Sequence, residues 1–285
     1  MTIVEPPAVV AGFDGTRPSF RAVFWAAAEA ARRECALVVA RALDWSWPAG
    51  AYPEVAFAPL SGGAERLRRE AGTQTKEVVR EIGHSYPDLD VRTVLLEDFP
   101  GPALAHYATR SEAAMLVVGP PGTGPLAGAV FGSTAAGLSQ HSERPLVVVR
   151  GDDPAAGTVG CPVVVGLEAG ADNSAALAFA LDFAQRHAVP AHLVHAMSAR
   201  SPAGPSEAMV AELADWLSAY PEVPFEHEIV RDWPERALLD RARHAALLVV
   251  GDRRRNPFRR ALCGSVSRTV LHHAPCPVSV VGAGT

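Results

Sequence analysis

The sequence predicts an α/β protein made of two tandem domains, each a small doubly wound parallel sheet of five strands. Three observations carry this prediction. Strand-length apolar runs alternate with longer amphipathic segments of helical period. The apolar runs are continuous, which is typical of parallel strands covered on both faces. The whole order of segments occurs twice, which indicates an internal duplication.

The elements of the first half can be placed in order from the periodicity of the apolar residues. Strands are expected near 8–13, 37–42, 91–95, 114–118 and 146–149. Helices are expected near 18–34, at about 64–84, from Pro102 and from Ser133. Within the first helix, one helical face is shared by Phe20, Phe24, Ala27 and Ala31.

The second half repeats this order. Gly251 follows Gly119 by 132 positions, whereas Gly166 follows Gly12 by 154, so the second copy is 22 residues shorter between its first and fourth strands. The sequence predicts a first domain at 1–150, a linker at 151–160 and a second domain at 161–285. The strands of the second domain are expected near 162–167, 191–197, 225–230, 245–250 and 277–282. The final strands of the two halves are expected to pair with each other and form an internal pseudo-dimer.

A glycine-rich loop follows the fourth strand. Residues 116–122 read LVVGPPG, and Gly132, Ser133 and Thr134 follow after nine further residues. Glycine lets the backbone approach a ligand closely, and the start of a helix presents unpaired N–H groups and a positive dipole. In doubly wound sheets the first and fourth loops open onto one crevice, so Asp14 is expected beside this loop. The pattern predicts a nucleotide site.

Composition excludes several other classes of protein. The apolar fraction is 48% and the charged fraction 20%, which is ordinary for a globular chain. A net charge of −5 gives no general attraction to nucleic acid or acidic lipid, so neither nucleic acid nor a membrane is expected as a partner. The first residues lack a signal-peptide pattern, and we expect a cytoplasmic protein. The four cysteines are scattered and are expected to be buried thiols.

These residues together resemble the universal stress protein family in its tandem two-domain form. Its nucleotide-binding members carry Gly, two residues, Gly, nine residues, Gly and then Ser or Thr, as Gly119, Gly122, Gly132 and Ser133 do here. The resemblance covers nearly the whole chain, including the opening at 12–16 (GFDGT) and the segments 264–267 (GSVS) and 271–277 (LHHAPCP). The fold that it implies is like that of the adenine nucleotide alpha hydrolases.

The resemblance implies a stress-response protein that holds ATP, or another adenine nucleotide, mainly in its first half. Asp14 would contact the adenosine, the backbone of Ala42 would meet the adenine edge, and the glycine-loop amides would hold phosphates that Mg²⁺ or Mn²⁺ could bridge. Pro120 and Pro121 lack N–H groups, so that part of the loop donates less. The implied binding residues are Gly12, Phe13, Asp14, Ala42, Gly119, Gly122, Gly132, Ser133 and Thr134.

The second half departs further from the family pattern. Arg254 occupies the position of the second glycine, and Glu168 occupies the position of Asp14. A long side chain at 254 would enter the phosphate space, and Glu168 is one methylene longer than aspartate. We therefore expect a degenerate nucleotide site in this half.

The sequence identifies no catalytic residue. It has no Walker lysine and no nucleophile elbow, so binding is favoured over turnover. Slow ATP hydrolysis and a nucleotide-independent interaction scaffold remain the alternatives. The spacing of His272, His273 and Cys276 fits no common zinc pattern, so no metal site is expected. The sequence leaves open the protein partner and whether two chains form a homodimer.

Overall fold

The structure is a computed structural model that describes residues 7–43, 63–120, 138, 143–151, 160–197, 207–252 and 265–282. The chain divides into two compact units, Met1–Arg144 and Pro145–Thr285. Both are α/β, as predicted. Within the described residues, no helix has the length and apolarity that a membrane crossing requires.

The first unit is built on four parallel strands in the order β3-β2-β1-β4. Strand β1 is almost free of solvent contact, since Val9, Val10 and Ala11 are fully buried. The strands are β1 (Val9–Gly12), β2 (Leu37–Ala42), β3 (Val91–Leu96) and β4 (Met115–Val118). The helices described between them are α1 (Arg17–Arg32), α2 (Gly63–Ser85) and α3 (Pro100–Arg110).

The second unit has the strand order β5-β10-β9-β6-β7-β8, in which only the β5–β10 pair is antiparallel. Its strands are β5 (Leu146–Val148), β6 (Val163–Leu167), β7 (Ala191–Ala196), β8 (Phe225–Val230), β9 (Leu247–Asp252) and β10 (Val278–Gly282). The helices described are α4 (Ser174–His187), α5 (Glu207–Ala219), α6 (Pro234–Ala242) and α7 (Ser265–His273).

The predicted pairing of the two final strands is confirmed. Strand β5, which closes the first repeat in the sequence, pairs antiparallel with β10, and Val147 lies opposite Ser279. Just after β5, the Arg150 guanidinium donates hydrogen bonds to the carbonyls of Leu271 (2.9 Å) and Ala274 (3.2 Å). Because of these contacts, β5 belongs to the second unit.

Helix α1 begins at a side-chain cap, since the Ser19 amide donates to Thr16 Oγ1. Of the four residues that periodicity groups on one face, only Ala27 is buried. Phe20 and Phe24 are only half-buried and stack on each other with 4.8 Å between ring centroids, and Ala31 is exposed. Small residues let the helix approach the sheet closely, and the buried apolar face consists of Ala22, Val23, Ala26, Ala27 and Ala30, with Trp25.

The expectation of buried thiols holds for Cys35 and Cys276, whereas Cys161 is half-buried. Burial raises the pKa of Cys276 to about 12, so this thiol stays protonated and unreactive at neutral pH. Cys263 lies outside the described residues, as does the predicted helix from Ser133.

Candidate functional site

The strand order of the first unit reverses at β1. The chain runs from β1 through β2 to β3 on one side and then returns to place β4 on the other side of β1. The loops after β1 and β4 therefore diverge at the carboxyl edge of the sheet, which is where doubly wound sheets bind ligands. Asp14 follows β1 and Gly119 follows β4, so the structure brings these two predicted residues to the same carboxyl edge of the sheet.

The Asp14 carboxylate is held in a defined orientation at this edge. Its Oδ1 accepts hydrogen bonds from the Thr16 amide (2.9 Å) and the Thr16 hydroxyl (2.6 Å). The Asp14 amide donates to Ser19 Oγ at 3.3 Å, which ties the turn to the start of α1. No described residue donates to Oδ2. The exposed carboxylate thus keeps one oxygen available to a ligand donor.

Gly119 is required for packing at the same place. A Cβ on Gly119 would lie 2.8 Å from the carbonyl carbon of Pro18 and 2.9 Å from the Ser19 nitrogen. These are backbone atoms of the first turn of α1, which cannot move without moving the Asp14 turn. Gly12 is tight as well, because a Cβ there would meet Leu104 and Val118 at 3.1 Å.

Arg41 also lies near this edge of the sheet, and the sequence analysis did not single it out. Its Nη1 donates to Gln74 Oε1 of α2 at 2.8 Å, and its guanidinium carbon lies 5.7 Å from the centroid of the buried Phe13 ring. Burial lowers the pKa of Arg41, and the nearby negative charge of Asp14 opposes this shift. An arginine inside the apolar run of β2 was the signal that could have identified it.

Ala42 ends β2, directly after Arg41. It lies opposite Leu96 in the parallel ladder, and the next amide, that of Leu43, donates to the Leu96 carbonyl at 2.8 Å. Ala42 therefore stands at the same carboxyl edge as Phe13 and Asp14. The remaining predicted site residues lie outside the described residues, and they are Gly122, Gly132, Ser133 and Thr134.

The second unit has a cavity of about 600 Å³ at the corresponding edge. The turn that carries Glu168 has the same hydrogen bond as the Asp14 turn. The Glu168 amide donates to the side chain five residues later, Asn173 Oδ1, at 3.1 Å, as the Asp14 amide does to Ser19 Oγ. His195 of β7 stands where Arg41 stands in the first repeat. Arg254 lies outside the described residues. Further lining residues come from the ends of β6, β7 and β9 and the starts of α6 and α7, and include Gly166, Met197, Trp233, Leu238, Asp252 and Ser265.

Two histidines on neighbouring strands of this unit affect each other, and His195 is buried whereas His227 is half-buried. His195 lies on β7 and His227 on the neighbouring strand β8, and the proximity of His227 affects the titration of His195. Among the described residues, neither His195 Nδ1 nor His227 Nε2 has a hydrogen-bond partner. Burial lowers the pKa of both rings, and in His195 the charge of His227 adds to the effect.

We expect this pair to make the protein less stable in acid. The unfolded imidazoles take up protons below about pH 6.5, whereas the folded rings resist protonation to lower pH. Their contribution to stability is therefore complete above pH 6.5 and is lost as the pH falls through the lowered folded-state pKa values. Replacing both rings (His195→Gln with His227→Gln) should reduce the fall in urea midpoint between pH 7.5 and 5.0. The exposed His244→Gln variant should retain the wild-type fall, and an equal fall in all three proteins would contradict the assignment.

Among the described residues, no group of three or more metal-ligating side chains is close enough to hold an ion. His272 and His273 lie in the last turn of α7, where a partial negative charge favours basic residues. Burial is the largest cause of a lowered pKa at His272, and the neighbouring charges of His273, Arg150 and Arg268 add to it.

The chain is similar to universal stress proteins in its sequence and in its fold. The model of the universal stress protein family matches residues 7–150 and 162–282. A universal stress protein of Mycolicibacterium smegmatis is 33% identical, with 96% of each chain covered. The crystal structure of a universal stress protein from Archaeoglobus fulgidus has a TM-score of 0.70 at 16% identity and covers 97% of this chain and 96% of its own. A universal stress protein solved in complex with cAMP is 28% identical over 50% of this chain and 96% of its own, with a TM-score of 0.34.

Proposed function

The chain belongs to the universal stress protein family, and from that premise we propose that its first half binds ATP and that the protein acts as a nucleotide-sensing module of a stress response. The observation that carries the proposal is the Asp14 carboxylate at the strand-order reversal. Thr16 fixes one of its oxygens, and the other faces no donor among the described residues. Such an oxygen would accept a hydrogen bond from a ribose hydroxyl, which is a neutral donor.

The rest of the crevice supplies matching groups. Phe13 and Ala42, which stand at the carboxyl ends of β1 and β2, are assigned to the adenine ring. Gly12 is needed beside them because a Cβ there would meet Leu104 and Val118 at 3.1 Å. The motif Gly122, Gly132, Ser133 and Thr134 supplies backbone and hydroxyl donors for the phosphates. Mg²⁺ or Mn²⁺ is proposed to bridge the phosphate oxygens, since these hard cations prefer oxygen ligands.

We propose that the protein binds ATP and does not hydrolyse it rapidly. Arg41, whose pKa is affected by the charge of Asp14, donates to Gln74 and lies over the Phe13 ring. Fast phosphoryl transfer needs a cation at the phosphates and a residue that orients the attacking water. A protein that holds ATP without consuming it responds to nucleotide concentration, as a sensor does.

Calorimetric titration of the nucleotide-free chain with ATP and Mg²⁺ tests the proposal. Asp14→Asn keeps an oxygen for the Thr16 donors but removes the charge, and we expect about a tenfold loss of ATP affinity, typical of a hydrogen bond to a charged group. Gly132→Glu places a carboxylate in the phosphate loop and should abolish the same site.

Asp90→Asn is the matched control, because Asp90 is an exposed carboxylate that precedes β3 at the opposite edge of the sheet and pairs with Arg92. It should bind ATP like the wild type. A wild-type chain that gives no heat and no thermal protection with ATP would overturn the proposal and favour the scaffold alternative. Equal affinity in wild type and Asp14→Asn would overturn the role of Asp14.

A further inference from the structure

Arg41 carries a positive charge that no described carboxylate pairs with. It is half-buried near the end of β2, and burial lowers its pKa because water solvates the guanidinium less well there. Its Nη1 donates to a neutral group, Gln74 Oε1, at 2.8 Å, and no described residue accepts a hydrogen bond from Nε or Nη2. A charge withdrawn from water usually has a partner of opposite sign. Arg41 is therefore able to take an anionic group from a ligand.

Arg41 lies directly against the turn that carries Asp14. A Cβ on Gly15 would come within 3.5 Å of Arg41 Nη1 and 2.5 Å of Gln74 Oε1. Gly15 has a φ of +85°, so this turn needs glycine both for its conformation and for the space that the two side chains occupy. The charge of Asp14 acts on Arg41, although the two make no ion pair in the described part of the chain. The turn thus brings the free acceptor Asp14 Oδ2 and the donors of Arg41 to one place.

Two contacts hold the Arg41 guanidinium. Gln74 of α2 fixes Nη1, and the Phe13 ring lies 5.7 Å from the guanidinium carbon, measured to the ring centroid. Both partners are neutral, so they orient the group without cancelling its charge. A guanidinium that is already oriented loses little freedom on binding, and its planar fork matches two oxygens of a phosphate.

The strand order places Arg41 away from the loop assigned to the 5′-phosphates. Strands β2 and β4 lie on opposite sides of β1. The nucleotide site proposed above assigns the adenine ring to Ala42 on β2, the ribose to Asp14 after β1, and the phosphates to the loop after β4. Arg41 is on β2, at the adenine and ribose end of this site. At that end of an adenine nucleotide, the ribose 2′ and 3′ oxygens are the positions that can carry a phosphate.

We propose that the first-half site prefers adenine nucleotides with a second phosphate, on the 2′ or 3′ oxygen of the ribose, and that Arg41 binds this phosphate. Asp14 Oδ2 accepts a hydrogen bond from the ribose hydroxyl that remains. In dinucleotide-binding sheets, an arginine near the ribose accommodates a 2′-phosphate in the same way. This inference rests on the proposed nucleotide site of the first half and specifies the ligand class of that site.

The second repeat lacks this arginine. His195 stands at the position of Arg41, and burial lowers the pKa of its ring, so this histidine is neutral at pH 7. A neutral imidazole supplies no charge for a second phosphate. The preference is therefore expected from the first half and should disappear with its site in Gly132→Glu.

Calorimetric titration of the nucleotide-free full chain tests the inference. The probes are 5′-AMP, adenosine 2′,5′-bisphosphate and adenosine 3′,5′-bisphosphate, which differ only in the second phosphate. We expect one of the bisphosphates to bind about tenfold more tightly than 5′-AMP, as a hydrogen bond to a charged group provides, and this advantage should shrink at high salt. Comparison of the two bisphosphates identifies which ribose oxygen carries the phosphate that Arg41 contacts.

Substitutions at Arg41 separate its charge from its packing. Arg41→Met keeps an apolar stem beside Phe13 and removes the charge, so it should bind 5′-AMP like the wild type and lose the advantage of the bisphosphate. Arg41→Lys restores a charge without the planar fork and should recover part of that advantage. Arg92→Met is the matched control, because Arg92 is an exposed arginine of β3 that pairs with Asp90. It should retain the full preference.

Equal affinities of the wild type for 5′-AMP and both bisphosphates would overturn the inference, and this comparison depends on no variant. A preference that Arg41→Met retains would overturn it as well. If a folded Arg41→Met protein loses 5′-AMP and bisphosphate affinity to the same extent, Arg41 supports the turn or the base instead of a second phosphate. Thermal unfolding followed by circular dichroism identifies any variant that fails to fold.

Failure of the first-half proposal gives a different result. A wild-type chain that binds neither ATP nor any of the three probes overturns the nucleotide site and this inference together. A chain that binds ATP in an Asp14-dependent manner but shows no preference for a bisphosphate overturns only the role of Arg41. The titration of the wild type therefore distinguishes the two failures.

Discussion

Arg33→Ala is expected to lower the free energy of unfolding by about 3–5 kcal/mol, which is the range for removing one partner of a buried ion pair. Arg33, the C-cap residue of α1, has its Nε 2.6 Å from Glu29 Oε1, and the two side chains are only 12% and 1% exposed. Without the guanidinium, the Glu29 carboxylate stays buried and loses a charged donor. Urea denaturation at pH 7.5 measures the loss, and the urea dependence of the unfolding free energy should stay unchanged.

The control is Arg92→Ala, which removes a pair of similar geometry on the surface. Arg92 Nη2 lies 2.7 Å from Asp90 Oδ2, and these side chains are 52% and 56% exposed. Solvent screens such pairs, so we expect a change of about 1 kcal/mol or less. Similar losses in the two variants would show that Glu29 is solvated or otherwise compensated, contrary to its burial in the structure.

Gly119→Val is expected to cost about 3 kcal/mol, at the upper end for overpacking, and to weaken ATP binding in the first half. The new side chain would press on Pro18 and Ser19, whose backbone carries the start of α1. Ser19 Oγ accepts from the Asp14 amide, so displacement of this turn also moves the Asp14 carboxylate. Thermal unfolding and calorimetric titration with ATP measure the two effects.

The duplication provides a matched control for this change. Gly251 is the counterpart of Gly119 in the second repeat, and a Cβ on Gly251 would meet no heavy atom of the described residues within 4 Å. Gly251→Val should therefore leave the melting temperature nearly unchanged, as surface substitutions do. If the two valine variants are equally stable, the contact between Gly119 and α1 is not rigid.

Much of the fold could be predicted, because the spacing of apolar residues indicates strands and helices and the internal duplication indicates two similar halves. The strands were placed within about two residues, as with β8 at 225–230, and the β5–β10 pairing was anticipated from the repeat. The face of α1 could not be predicted, because alanines and phenylalanines both recur at helical spacing and periodicity does not rank them. Close helix-to-sheet packing selected the smaller side chains.

The position of a candidate-site residue could be predicted where the strand topology alone determines it. Asp14 and Gly119 had to lie at one edge of the sheet, because parallel strands all end their loops there. Arg41 was missed because its role depends on Gln74, 33 residues away, and on the position of Phe13, which a linear pattern does not contain.

The pairing of β5 with β10 has a consequence for any attempt to separate the repeats. A fragment that begins at Cys161 follows the sequence duplication but lacks residues 146–148, so the β10 edge loses its neighbour. The main-chain donors and acceptors of an apolar strand would then be open to a second molecule, and such edges recruit other chains. A fragment that stays monomeric must therefore be longer than the second sequence repeat, because it must include β5.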